Sequence, residues 1–305
     1  MRLLVTGSNG LVGYALQKIA PNNTIFISRK DADLTQFQET LKIFKKHEPT
    51  HVLHLAAQVG GMGANMTYPG TFFRNNVLIN TNVLEACKNV GTKKIISFLS
   101  TCIFPDNAVY PLTEDQLHLG PPHESNFAYA YAKRMLEVQS RAYKKEFGLE
   151  TLNVVGTNIY GPNDNYNLEN SHVLAALIHK CYLAKQKNED LTIWGSGKPL
   201  REFVLSDDIA KIILHLIENY NGDGIVNLSS GIENSITEVA NIIADELDFN
   251  GNLIFDSTKS DGQYRKPSDN TKLKSIISDF SFTTVNEGIS KTINWFTNNY
   301  PNIRK

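Results

Sequence analysis

The sequence predicts an α/β protein, a doubly wound parallel sheet joined to a smaller mixed α/β lobe. Three observations carry that reading. The chain opens on a short apolar run, Arg2-Leu3-Leu4-Val5-Thr6, which feeds Gly7, Gly10 and Gly13 and then a helical pattern to about Ile19. Apolar runs of strand length recur at residues 51–55, 94–99 and 149–155, with helix-length segments between them. Near-continuous apolar strands alternating with helices mark a parallel sheet covered on both faces. Finally, 305 residues with 41% hydrophobic and 20% charged content suffice for one large or two modest domains with a real core.

The first element is a strand, a glycine turn and a helix. In Gly7-x-x-Gly10-x-x-Gly13 the first glycine permits the tight turn. The second lets backbone approach a pyrophosphate, and the third lets helix pack close to strand. This is the Rossmann-type arrangement, with helix N–H groups facing the phosphates. A second strand over residues 24–27 ends in Ser28-Arg29-Lys30. An Asp or Glu there would hold an NAD ribose. Two cations and a hydroxyl suit a 2′-phosphate instead, so NADP(H) is expected over NAD(H). Arg29 and Lys30 also read as simply solvated. Asp33-Leu34-Thr35 is read as the start of the next helix, with Asp33 capping it or touching adenine.

A third strand ends in Leu55-Ala56-Ala57, small enough for a cofactor to lie against backbone. His51 and His54, set among apolar residues, read as structural. A helix is expected from about 71 to 90, then the strand of residues 94–99, which stops at Ser100. Ligands in open α/β sheets bind beyond such carboxyl ends. Tyr129 and Lys133 follow on a helix read from about 127 to 145, four apart and so on one face. A lysine beside a phenol favours phenolate and pulls its pKa down, which would tune Tyr129, with Ser100 beside it, for proton exchange with a carbonyl oxygen. Alone the Tyr-x-x-x-Lys spacing is weak. The upstream Ser100 and the glycine turn give it weight.

After the strand at 149–155 comes a polar, turn-rich loop holding Asn158, Ile159 and Asp164. Asn170-Ser171 looks like a helix entry that puts His172 in a first turn. The chain divides into residues 1–165, a NADP(H)-binding domain to which segments around 202–230 return, and residues 166–305, a smaller lobe that the family resemblance given below implies to be nucleotide-sugar-binding. A net charge of -1 without a Lys/Arg block argues against nucleic acid as a main partner. Cys87, Cys102 and Cys181 are odd in number and widely spaced, which suggests no disulfide framework or metal and fits a reducing cytoplasm. The strand pattern starts at Arg2, leaving no room for a signal peptide, and no run approaches the ~20 apolar residues of a membrane span.

The glycine triplet, Ser100, Tyr129 and Lys133 resemble the extended short-chain dehydrogenase/reductase superfamily. Several further stretches narrow the resemblance to the GDP-L-fucose synthase family. They are Ser100-Thr101-Cys102-Ile103-Phe104-Pro105, Val59-Gly60-Gly61, Thr157-Asn158-Ile159-Tyr160-Gly161-Pro162, Asn170-Ser171-His172-Val173, Trp194-Gly195-Ser196-Gly197 and Arg201-Glu202-Phe203. They span nearly the whole chain in order. The resemblance implies an NADPH-dependent reduction at C4 of a GDP-linked 4-keto sugar, with 3,5-epimerisation.

It also implies site roles. Cofactor would lie on Gly7, Gly10, Leu11, Val12, Gly13, Ser28, Arg29, Lys30, Asp33, Leu55, Ala56 and Ala57, with Lys133, Asn158, Ile159 and His172. Tyr129 would be the reductive acid supported by Ser100, and Cys102 with His172 the epimerisation pair. Val173, Lys180, Trp194, Arg201, Asp261 and Lys266 would hold substrate. Nearby positive charge would lower the Cys102 thiol. Taken alone, Cys102 reads as a small buried hydrophobe and His172 as a locally bonded helix-start residue. The family often has a basic residue inside the glycine turn. Here Ser8-Asn9 stand there, leaving Arg29 and Lys30 to carry the NADP argument. Two helices, at 71–90 and 127–145, resemble those the superfamily pairs into a homodimer. A reductase without epimerisation, acting on a related sugar such as a GDP-4-keto-heptose, is the near alternative. A non-catalytic NADP(H) sensor is the remote one.

Overall fold

The computed structural model describes residues 1–305, apart from the side chain of Met62. The first half runs β1 (Leu3–Thr6), α1 (Leu11–Gln17), β2 (Ile25–Ile27), α2 (Phe37–His47), β3 (His51–His54), α3 (Met62–Thr67), α4 (Pro69–Val90), β4 (Lys94–Ser100), α5 (Phe127–Phe147) and β5 (Glu150–Gly156). The second half adds β6 (Asn158–Tyr160), α6 (Val173–Lys187), β7 (Leu191–Trp194), β8 (Leu200–Leu205), α7 (Ser206–Asn219), β9 (Gly224–Leu228), β10 (Glu233–Ser235), α8 (Ile236–Glu246), β11 (Leu253–Asp256), α9 (Thr271–Ile276) and α10 (Val285–Asn299).

Six parallel strands form the main sheet in the order β2-β1-β3-β4-β5-β9. Side chains alternate across it. Leu4, Val52 and Ile95 point toward Phe44 of α2, Val83 and Leu84 of α4, and Leu136 of α5. Leu3, Val5, Leu53 and Ile96 point toward Leu16 of α1 and Ile209 and Ile213 of α7. Both faces are therefore buried, which is why β1 and β4 read as apolar runs rather than alternating ones. The strand order reverses between β1 and β3, so a crevice opens at their carboxyl ends.

A separate apolar core binds the remaining elements. Leu174 and Ile178 of α6, Val239 and Ile243 of α8, and Ile293 and Phe296 of α10 close on Leu191, Ile193 and Phe203. Here β6, β8 and β10 make a three-stranded sheet, and β7 pairs with β11. Capping boxes start α8 (Ser235 with Glu238) and α10 (Thr284 with Glu287).

Several local expectations are corrected. The second helix starts at Phe37, not near Asp33, because Asp33 Oδ1 instead accepts from the backbone N–H of Thr35 at 3.0 Å and from its hydroxyl at 2.8 Å. That turn competes with helix. His172 precedes α6 as its cap residue, in extended backbone, and is not in its first turn. Residues 158–160, read as loop, form β6 because they pair with Phe203, Val204 and Leu205.

Candidate active site

A cavity of about 1000 Å³ lies over the carboxyl ends of β1, β3, β4 and β5. At its floor Gly7 has φ +72°, and a Cβ there would sit 2.8 Å from the Ala56 nitrogen. A Cβ on Gly13 would meet the Ser8 carbonyl at 2.5 Å. The turn thus needs glycine twice, once for strand contact and once for helix contact.

The floor is tied together by a buried chain. Leu55 and Ala56 donate their N–H groups to Thr6 Oγ1 at 3.1 Å, so the Thr6 hydroxyl donates in turn to His54 Nδ1 at 2.9 Å. His54 Nε2–H then donates to Asn80 Oδ1 at 3.1 Å, and Asn80 Nδ2 to the Ala132 carbonyl at 3.4 Å. Burial, aided by Lys133, holds the His54 imidazole down at about 3, so it stays neutral. The structural reading of His54 takes concrete form: it links the glycine turn to the helix that carries Tyr129.

Lys133 is buried, with Nζ donating to the Phe98 carbonyl at 2.8 Å and lying 6.0 Å from the Tyr129 ring centroid. Burial lowers Lys133 to about 8, with Cys102 opposing. The expected lowering of Tyr129 is not found. Burial raises its pKa, with Cys102 adding to the rise, and Lys133, 6.0 Å from the ring centroid, does not offset it. Cys102 sits in a short 3₁₀ turn after β4. Burial raises its thiol pKa also, and the opposing pull of Lys266, Ser100 and Lys133 does not overcome it. Both groups hold their protons at neutral pH. Arg134 fixes this corner. Its Nε donates to the Ile103 carbonyl at 2.5 Å and its Nη1 to the Gly120 carbonyl at 2.7 Å.

The cavity wall gathers Ser28, Arg29, Asp33, Leu55, Ala56 and Ala57, together with Ser100, Cys102, Tyr129, Lys133, Asn158, Ile159 and His172. Gly7, Gly10, Leu11, Val12 and Gly13 line it too, and Arg201 and Lys266 also reach it. Lys30 does not line it and is exposed. Lys180, Trp194 and Asp261 form a group of their own outside the wall. Trp194 is 61% exposed, with Lys180 Nζ 4.8 Å and Lys259 Nζ 5.6 Å from its ring. Asp261 accepts from Ser196 N at 2.6 Å and from Ser196 Oγ at 2.7 Å, and its carbonyl is 3.5 Å from Arg201 Nη2. Val173, the first residue of α6, is exposed and also off the wall.

Sequence reasoning missed several wall residues. Asn65 Oδ1, Asn126 Oδ1, Thr157 Oγ1 and Asp164 Oδ2 are buried there without a protein partner. Such atoms fit a polar ligand that satisfies them. Together with the glycine cradle, this makes the cavity suitable for a dinucleotide. Arg304, also on the wall, gave no signal in the sequence.

The sequence pattern of the NAD dependent epimerase/dehydratase family matches residues 3–229. The chain belongs to that family. Within it, the resemblance to GDP-L-fucose synthases is borne out. The chain is 48% identical over 311 residues to GDP-L-fucose synthase of Dictyostelium discoideum, covering 99% of this chain and 97% of that one. A crystal structure of a GDP-L-fucose synthetase from Naegleria fowleri bound to NADP superposes with a TM-score of 0.94 at 43% identity, covering 99% of this chain and 94% of the other. The GDP-mannoheptose C4 reductase of Campylobacter jejuni, with NADP bound, gives 0.87 at 28% identity over 97% of this chain and 98% of its own.

Proposed function

We propose that the protein is an NADPH-dependent reductase of a GDP-4-keto-6-deoxy sugar, which also epimerises that sugar at C3 and C5. The observation that carries this reading is that Ser100, Cys102, Tyr129, Lys133 and His172 all line the one cavity that the glycine turn also lines. The near-full-length similarity to GDP-L-fucose synthases supports it. Gly7, Gly10, Leu11, Val12 and Gly13 hold the dinucleotide, with Leu55, Ala56, Ala57, Asn158 and Ile159. Ser28, Arg29 and Asp33 take its adenosine end, and Lys133 its nicotinamide ribose.

NADPH, when bound, supplies the hydride for C4. Tyr129, which keeps its proton at neutral pH, gives that proton to O4 as the carbonyl becomes an alcohol. Lys133, still mostly charged at pH 7, and the Ser100 hydroxyl stabilise the phenolate left behind. Before reduction the C4 ketone acidifies the hydrogens at C3 and C5, because the carbanion delocalises into an enolate. Cys102 takes a proton from one face and His172 returns one on the other. Substrate binding must first draw the Cys102 thiol down, since burial holds it up in the free protein. Arg201 and Lys266 meet the sugar diphosphate from the wall, while Lys180, Trp194, Asp261 and Val173 extend the nucleotide side beyond it. The protein works in the cytoplasm as a homodimer paired through α4 and α5.

Incubation with GDP-4-keto-6-deoxy-mannose and NADPH, with the product identified by NMR, tests the reaction. Incubation in heavy water without cofactor tests the epimerisation. Deuterium at C3 and C5 is the expected result. Reduction without exchange would favour a plain C4 reductase, the reading that the structural similarity to the heptose reductase supports.

A further inference from the structure

The glycine turn has no cation of its own, since Ser8 and Asn9 stand between Gly7 and Gly10. A cation reaches it from the other end of the chain. Arg304 Nη1 donates to the Asn9 carbonyl at 3.3 Å and to the Asn163 carbonyl at 3.3 Å. The strap that delivers it is fixed. Tyr166 N–H donates to the Arg304 carbonyl at 2.8 Å, and Ile303 is buried in the core around α10. Arg304 lines the cavity beside Gly10 and Leu11.

A guanidinium has five donors. The two carbonyls occupy Nη1, and among the described residues Nε and Nη2 of Arg304 have no protein acceptor. That leaves the planar fork suited to bidentate contact with phosphate oxygens. The acid facing it is Asp164, 3% exposed, whose Oδ1 accepts from Asn165 N–H at 2.7 Å and whose Oδ2 has no partner. No ion pair joins the two among the described residues. Burial raises the Asp164 carboxyl, against the pull of His172, the Asn165 N–H and Arg304. Two carbonyl contacts alone could be made by an amide side chain. A guanidinium at this wall calls for an anion.

We propose that Arg304 is a binding residue for the cofactor diphosphate, supplying from the C-terminus the positive charge that the glycine turn lacks. This rests on the NADP(H) reading above. The second phosphate site of that reading, for the 2′-phosphate, belongs to Ser28 and Arg29 at the end of β2.

The test compares NADPH and NADH binding to the full-length protein, by fluorescence titration at low and high salt. Arg304→Gln should weaken both by the same factor, roughly tenfold to a hundredfold, and flatten the salt dependence. Arg29→Ala should weaken NADPH alone. Arg304→Lys keeps the charge without the fork, so it should fall in between. Arg304→Met, which removes the charge and keeps much of the length, decides the matter if Arg304→Gln does not fold: affinity lost for both cofactors supports the proposal, and unchanged affinity overturns it. Three other outcomes overturn it. Arg304→Gln could spare NADH while weakening NADPH, which would place the guanidinium at the 2′-phosphate. It could lower the melting temperature with affinities intact, which would make Arg304 a strap only. If the unaltered protein binds neither cofactor, the NADP(H) reading falls, and this inference with it.

Discussion

At the scale of single residues, burial outweighs charge in setting the chemistry. Tyr129 and Cys102 are both pushed up by desolvation although Lys133 is close to each, and Lys133 is itself lowered to about 8 by the same burial. A phenol that holds its proton serves as the acid of a reduction, so Tyr129→Phe should lower the reductive kcat by roughly a hundredfold to ten-thousandfold. Single-turnover NADPH oxidation measures this, and a variant with full turnover would remove Tyr129 from the mechanism. Lys133 is charged below its pKa and neutral above it. Stabilisation of the Tyr129 phenolate is therefore lost as pH rises through about 8, and the reductive kcat should decline there. A pH–rate profile of the unaltered protein that stays flat to about pH 9 would show that this ammonium does not act.

At the scale of elements, what matters is how strand ends are tied to one another. His54 holds the end of β3 to Thr6 of β1 and Asn80 of α4, and it does so as a neutral imidazole. Its folded pKa of about 3 lies below the unfolded value near 6.5. The unfolded chain therefore binds the extra proton first. The stability His54 contributes is complete above about pH 6.5 and is lost progressively as pH falls toward 3. By pH 5 the loss should be on the order of 2 kcal/mol. Urea unfolding at pH 7 and pH 5 measures it, and His54→Gln, which does not titrate, should show a smaller difference between the two. An equal difference in both proteins would mean that His54 is charged or exposed in solution. The glycine turn was legible in the sequence because a Cβ at Gly7 would meet the Ala56 nitrogen and one at Gly13 the Ser8 carbonyl, so only glycine fits there, and Ser100 was legible because an apolar strand run stops at it. The strand β6 was not legible, since Asn158, Ile159 and Tyr160 make no apolar run and become a strand only by pairing with Phe203, Val204 and Leu205. Asp33 misled because a side chain that caps helices also closes its own turn on Thr35. Arg304 could not be found by any local pattern, because its partner Asn9 lies at the opposite terminus.

At the scale of the whole molecule, α5 presents two apolar faces where an ordinary surface helix has one. Ala132, Leu136 and Ser140 are buried toward the sheet. Phe127, Tyr131, Met135 and Val138 recur at helical spacing on the outside, between 40% and 47% exposed. Phe73 of α4 and Tyr68 just before it, 37% and 59% exposed, continue the patch, and an apolar groove lies among Pro69, Phe73, Phe127 and Tyr131. A contiguous apolar surface of this kind on two packed helices is expected to be covered by another protein surface. A second copy can cover it through a two-fold axis, which places the same residues on both sides. The protein should therefore scatter light as about twice its 34.1 kDa mass at micromolar concentration. A double substitution of Met135→Glu and Val138→Glu sets like charges against each other across such an axis and should yield the monomer. Both side chains point away from the cavity, so the monomer should still bind NADPH. If the unaltered protein runs as a monomer at micromolar concentration, the outer stripe of α5 does not pair with a second copy.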